Sequence, residues 1–311
     1  MPKPNALFVM PYVIARERLT RSDLGRTPEP MVMDEPVGVA AFHEAGKIDG
    51  SNMPIYEMWA KAMSQLLPGG GSVLDLGSGS GRYLAQLARH RPDLRIIGLD
   101  LSDTMLATGR RLLEEEGLSD RITLLEADIT TFDAEVPEDV DMVSSVFALH
   151  HLPTVEHLDS CLARIAAVRA QRGCAVFLGD FARLKNPRTF PRTLSTISGF
   201  PPALRPDAVA SERAGWSLAE ITDALERAGL GELHHLLASP LPLLQIHWAP
   251  AHGRADEGDE ALWREMGVPR GVRFDTAVWR RSFRGLPQGD ADTCRADSPR
   301  AHESRRALPC R

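Results

Sequence analysis

The chain is poor in cysteine and aromatics and has no surplus of positive charge. Its four cysteines, at 161, 174, 294 and 310, form no C-x-x-C pair, so a zinc ribbon has no support. No C-x-x-x-C-x-x-C run is present, which removes cluster-based radical chemistry. Cys161 lies in a helical pattern and Cys174 opens a strand pattern, places suited to small buried hydrophobes. Lys and Arg number 36 against 42 Asp and Glu, a net charge of −6. That argues against a dedicated nucleic-acid binder, which would show a basic face. No apolar run approaches the roughly 18 residues of a membrane helix. The opening Met1-Pro-Lys-Pro-Asn lacks the pattern of a secretory leader, so the cytoplasm is the expected compartment. No internal repeat is visible. The 311 residues, 43% hydrophobic and 25% charged, fit a globular protein of one large domain with appendages.

The most telling stretch is Val73-Leu-Asp-Leu-Gly-Ser-Gly-Ser-Gly-Arg-Tyr-Leu84. An apolar strand runs into a glycine turn, and a helical pattern follows at once. Gly77, Gly79 and Gly81 permit positive φ and let a ligand approach the backbone where a Cβ would block it. Free N–H groups at a helix start favour anionic or strongly polar ligand atoms. The pattern therefore points to a small-molecule site, with a nucleoside-containing cofactor as the expected ligand. A dinucleotide fingerprint would read G-x-G-x-x-G, but Arg82 stands where its third glycine belongs. A nicotinamide-dependent dehydrogenase is disfavoured on that ground.

The run D-x-G-x-G-x-G led by Asp75 resembles the first motif of class I S-adenosylmethionine (SAM)-dependent methyltransferases. The resemblance covers roughly residues 53–181. Asp100 closes the short strand pattern from Arg95, 19 residues after Gly81. Doubly wound folds place a ribose-binding carboxylate near that spacing, able to accept from both hydroxyls of a vicinal diol. Ser102 reads as an N-cap for a helix that Gly117 ends. The resemblance implies that Asp75, Gly77, Ser78, Gly79, Gly81, Asp100, Leu101, Met105, Asp128, Ile129 and Ser145 hold SAM. Met105 and Ile129 would pack on the adenine, and Asp128 would receive its exocyclic amine. A fourth strand from Val140 leads through Ser144 and Ser145 to Ala148-Leu-His-His-Leu152, similar to a run found where methyl donor meets acceptor in small-molecule methyltransferases.

The expected fold is α/β: a doubly wound, seven-stranded, mostly parallel Rossmann-like sheet with an antiparallel edge hairpin. Residues 1–71 are expected to form an N-terminal arm and lid, loosely structured to about 50, then helical over 52–67. There Ile55, Met58, Trp59, Ala62, Met63 and Leu66 make one stripe. Residues 72–253 form the core, with an inserted cap at 182–215 where a compact α/β unit would have a short connection. Ser217-Leu-Ala-Glu220 is a capping box. Strand patterns follow near 232–238 and 242–248, which the family resemblance implies would pair as the edge hairpin. Residues 254–285 add one or two helices around Leu262, Trp263, Val278 and Trp279, and 286–311 read as a disordered tail.

Methyl transfer from a sulfonium needs alignment above all, and a base only where the acceptor must lose a proton. The catalytic candidates are His150, His151 and Asp180; the substrate-binding candidates are Tyr56, Trp59, Arg183 and His247, with His43, Arg188 and Trp248 nearby in the argument. Each has a plain structural alternative: Trp59 lies on the core stripe, Arg183 and Arg188 could be solvated, and His247 and Trp248 could close the sheet edge. An arginine in the pocket would imply an acidic acceptor; an aromatic-walled cleft would suit a cationic product. Ser144-Ser-Val-Phe147 departs from the Asn/Asp-Pro-Pro-aromatic run of enzymes that methylate nucleic-acid amines. No cysteine precedes Cys161 to hold arsenic, and about 70 residues before the core are too few for a winged-helix domain. No clustered acids follow the fourth strand, so no metal is expected.

The expected activity is methyl transfer to the N, S or O atom of a small metabolite, amino-acid-like or a natural-product intermediate, leaving S-adenosyl-L-homocysteine. The alternative is a SAM-binding protein of the same fold that does not methylate, a cyclase, an isomerase or a regulatory binder. The expected partner is the small-molecule acceptor, with no membrane or nucleic acid; oligomeric state stays open, a homodimer being one option.

Overall fold

The computed structural model describes residues 6–133, 137–197, 200–253 and 269–287, apart from positions 22 and 24. Its centre is a seven-stranded sheet in the order β3-β2-β1-β4-β5-β7-β6. The strands are β1 (Ser72–Leu76), β2 (Arg95–Asp100), β3 (Ile122–Glu126), β4 (Met142–Val146), β5 (Ala175–Phe181), β6 (His234–Leu237) and β7 (Leu244–Ala249). The first five pair in parallel, and β7 runs antiparallel to β5 and β6. β1 and β4 are buried along their whole length, as expected of strands covered on both faces.

Helices cover both sides. On one, α3 (Met53–Leu66), α4 (Arg82–His90) and α5 (Asp103–Glu115) share a core with the sheet that includes Trp59, Leu84, Leu106 and Phe177. On the other, α6 (Val155–Arg172) and α9 (Leu218–Arg227) close over Leu74, Leu76, Val143 and Val176. The punctuation follows the sequence. Ser102 caps α5 by accepting from the Met105 N–H at 3.1 Å. Ser217 and Glu220 form the reciprocal capping box of α9, and Gly229, at φ 81°, follows its end.

The chain visits β1, β2 and β3 in one direction and returns to β4 on the other side of β1. That reversal opens a crevice beyond the C-terminal ends of β1 and β4, the place where doubly wound sheets bind ligands. Three appendages wall it in.

The first appendage corrects an expectation. Residues 1–50 are not loosely structured throughout, since they carry α1 (Ala6–Leu19) and α2 (Pro36–Ala45). The second is the insertion after β5, which folds as α7 (Thr189–Thr196), a single turn over Pro202–Leu204 and α8 (Arg205–Ala214). A bridge between Ala182 and Trp216 closes its base. The third is α10 (Arg270–Ser282), which packs on α3. Val278 and Trp279 lie on α10; Leu262, Trp263 and residues 288–311 fall outside the described residues.

The arm is fastened to the insertion. Glu17, buried on α1, accepts from the Lys185 N–H at 2.7 Å and the Thr189 hydroxyl at 2.8 Å, tying down the start of α7. Between α1 and α2 the chain crosses the crevice. There the Arg26 guanidinium donates to the carbonyls of Pro153, His150 and Leu152 at 2.6–2.8 Å and stacks 3.9 Å over the Trp216 ring.

Candidate active site

A cavity of about 1090 Å³ occupies the crevice, and one end of it is formed by the glycine turn. Gly77 and Gly79 take φ of 76° and 54°. A Cβ on Gly77 would fall 2.2 Å from that of Ala148, so only glycine lets the turn lie against the end of β4. A Cβ on Gly79 would instead enter the cavity, with nothing closer than Phe42 at 3.6 Å. Asp100 anchors the turn by accepting from the Gly79 N–H at 2.7 Å, and it accepts from the Ser102 N–H at 2.9 Å. Burial raises its pKa against those backbone hydrogen bonds.

Under the turn, Asp75 is fully buried and accepts from the Ser144 hydroxyl at 2.6 Å. Burial lifts it to about 7, the hydrogen bond pulling the other way. Of the expected cofactor residues, Asp75, Gly77, Ser78, Gly79, Asp100, Leu101, Met105 and Ile129 line the cavity together. Three are not on its wall. Gly81 is the left-handed N-cap of α4 and faces Leu124. Asp128 turns its Oδ1 back on the N–H and hydroxyl of Thr130 at 2.8 and 2.7 Å. Ser145 spends its hydroxyl on the Leu76 carbonyl at 2.9 Å.

The other end of the cavity is aromatic. Phe147 sits at φ 55°, a strained value for a phenylalanine, immediately after β4. Its ring centroid lies 5.0 Å from that of Phe181, and Phe181 continues to Phe190 at 6.0 Å. His150 meets the edge of Phe181 at 5.6 Å. Its Nδ1 stands 2.6 Å from Asp180 Oδ1, and its backbone N–H donates to Asp180 Oδ2 at 2.9 Å. Burial opposes charge on this imidazole, but Asp180, Glu29 and Asp207 outweigh it and raise its pKa. His151 is held down to about 4 by burial and by His150 beside it. Both histidines and Tyr56 face the cavity. Burial pushes the Tyr56 hydroxyl up to about 12.

Three expected substrate contacts are elsewhere. Trp59 is completely buried against Phe147, Phe177 and Gly179, so the core stripe claims it. Arg183 points away from the cavity into a clamp between Asp23 at 2.6 Å and Glu220 at 2.8 Å. His247 is buried in the edge hairpin with its Nδ1 2.8 Å from that of His235, and Trp248 stacks there on His234. His43 pairs with Arg82 at 2.7 Å behind the lining, and Arg188 is exposed beside α7.

Residues 73–173 match the family model described as a methyltransferase domain. Over those residues the core is of the methyltransferase-domain type. Over 143 residues the chain is 35% identical to trans-aconitate 2-methyltransferase of Methylobacterium nodulans, covering 45% of this chain and 50% of that one. Over 118 residues it is 35% identical to phosphatidylethanolamine N-methyltransferase of Cereibacter sphaeroides, covering 38% and 55%. The chain thus spans about half the length of these curated relatives. A Methanococcus maripaludis crystal structure, itself provisionally assigned as a SAM-dependent methyltransferase, superposes with a TM-score of 0.53 at 17% identity, covering 74% of this chain and 99% of that one.

Several residues around this methyltransferase domain escape a sequence reading. Phe42 reaches the glycine turn from α2, and Phe190, Phe200 and Leu204 come from the insertion. Asp207 reaches the cavity from α8, and burial raises its pKa while His150 lowers it. For those in the insertion the only signal was its unusual length, which gives no side-chain direction, and Phe42 carried none.

Proposed function

We propose that the chain transfers the methyl group of SAM to a small molecule enclosed between the methyltransferase domain and a cap made of arm, insertion and α10. The observation that carries this is one continuous cavity, lined at one end by the Gly77–Gly79 turn and Asp100 and at the other by aromatic rings and His150. About 1090 Å³ exceeds the roughly 300–1,000 Å³ of ordinary small-molecule sites, leaving room for donor and acceptor together.

The turn residues fit SAM. Ser78 carries a buried hydroxyl without a partner at the turn, and the space over Gly79 is open. Asp100 would accept from the ribose hydroxyls, and Met105 and Ile129 would flank the adenine. When bound, SAM supplies an electrophilic methyl group. The protein's own part is to seat the acceptor against it and exclude water. A deep, largely apolar cavity walled by three appendages favours a metabolite over a macromolecule. Arg183, in its clamp, lends no support to an acidic acceptor, and Arg82 on the cavity wall is paired with Glu116 and His43. An aromatic or largely apolar acceptor, presenting its reacting atom to the His150–Asp180 wall, fits better.

Calorimetric titration with SAM tests the cofactor half. Wild type should bind one equivalent, and Asp100→Ala should bind at least about tenfold more weakly, about 1.4 kcal/mol. Equal affinities would remove Asp100 from the site, and no binding by wild type would sink the proposal.

A further inference from the structure

Among the described residues, Glu29, His150 and His151 form a group in which three potential metal ligands converge, one ligand atom from each lying within 4.8 Å of the others. Bonds of about 2.1 Å at tetrahedral angles would set such atoms about 3.4 Å apart. His150 Nε2 already stands 3.7 Å from Glu29 Oε2. That oxygen is buried and has no hydrogen-bond partner. A charge-assisted hydrogen bond between the two would close to about 2.8 Å, so the pair is spaced for something between them rather than for each other.

Both rings are held from behind. His151 Nδ1 lies 3.0 Å from the Pro30 carbonyl. A carbonyl only accepts, so this ring carries its proton on Nδ1 and its lone pair on Nε2. In the neutral ring Asp180 favours the same arrangement on His150 through the 2.6 Å contact at Nδ1. Imidazoles that donate Nδ1–H to a carboxylate or carbonyl and present Nε2 are the usual form of metal-ligating histidine. The two histidines lie on the cavity wall, while Glu29 backs them from the arm. An ion there would take three protein ligands and keep its remaining position open to the acceptor chamber, the plan of catalytic zinc sites. Two nitrogens and one oxygen favour a transition metal over magnesium or calcium.

We propose that Glu29, His150 and His151 bind one divalent transition-metal ion of the zinc type, supported by Asp180 and the Pro30 carbonyl. Binding of the ion is independent of the methyltransferase reading; its use rests on that reading, in which the ion would hold the acceptor's oxygen or nitrogen beside the methyl donor.

The test uses full-length, untagged protein stripped with a chelator and titrated with Co²⁺ and then Zn²⁺, followed by calorimetry and the visible absorption of Co²⁺. SAM affinity is measured separately on the same preparation. Wild type should take up one equivalent of Co²⁺ that Zn²⁺ displaces. Glu29→Gln and His151→Ala should each weaken binding more than tenfold while keeping the wild-type melting temperature and SAM affinity. Asp180→Asn, one shell out, should cost about 10–100-fold. If His151→Ala does not fold, the near-isosteric Glu29→Gln decides alone. The proposal is overturned if wild type binds neither ion stoichiometrically, or if the ligand variants bind as wild type does. Intact Co²⁺ binding without SAM binding would instead sink the cofactor reading and leave the metal site standing.

Discussion

Asp75 is a buried carboxyl group at the end of the cavity, and its protonation is coupled to folding. Its pKa is about 7 in the fold against 3.8 for the free side chain. Between those values the folded state keeps a proton that the unfolded chain has lost, so the stability Asp75 contributes is complete below about 3.8 and disappears as pH rises through about 7. Asp75→Asn removes that titration. Urea unfolding of both proteins from pH 4 to 8 should show wild-type stability falling relative to the variant as pH rises; a pH-independent difference would contradict the assignment. Gly79 makes the companion case. Alanine at its φ of 54° costs roughly 1–2 kcal/mol of stability, and the added methyl enters the cavity, so Gly79→Ala should lose SAM affinity by about tenfold or more in calorimetry. At this scale part of the cavity wall was legible: eight of the eleven residues expected to hold the cofactor line it, because glycines and an acid at strand ends have few other uses, and Tyr56, His150 and His151 line it too. The remaining acceptor candidates were not. Trp59, Arg183 and His247 are the right residue types, but which way each points depends on packing between distant segments, and all three turn away from the cavity.

Between elements, the arm and the insertion hold one another over the crevice. Arg183 is almost wholly buried in its clamp, while Asp23 and Glu220 reach solvent. Arg183→Ala should cost roughly 2–3 kcal/mol in denaturant unfolding, somewhat below the ~3–5 of a fully buried pair, with acceptor KM unchanged in the folded fraction. A large rise in KM would return Arg183 to the pocket. Arg26 carries the strap itself. Arg26→Ala leaves three carbonyls near His150 without their donor, at a cost of at least about 2 kcal/mol. Hydrogen exchange should quicken over residues 26–34, and protection unchanged there would show that the strap is held by other contacts. The strands, α3, α5 and α9 were legible because their periodicity and caps agree with the final fold. The helices of the arm were not: α1 has no one-sided apolar stripe and carries Pro11 within it, so it looks broken.

For the molecule as a whole, the sheet sets where chemistry can occur and the three appendages set what can enter. The reversal after β3 fixes the crevice, and the glycine turn, Asp100 and the His150 wall are brought to it from segments far apart in the chain. The fold class followed from strand patterns and the βαβ spacing together with the family resemblance, whereas the walls of the cavity needed the insertion and α10 in place. The most direct test of the account is to incubate the purified protein with SAM carrying an isotopically labelled methyl group and a metabolite extract, and to follow the label by mass spectrometry. The account predicts a labelled small molecule one methyl group heavier, formed together with S-adenosyl-L-homocysteine and absent with Asp100→Ala. SAM held tightly, with no label passing to any small molecule, would contradict it and point to a fold that keeps the cofactor for another purpose.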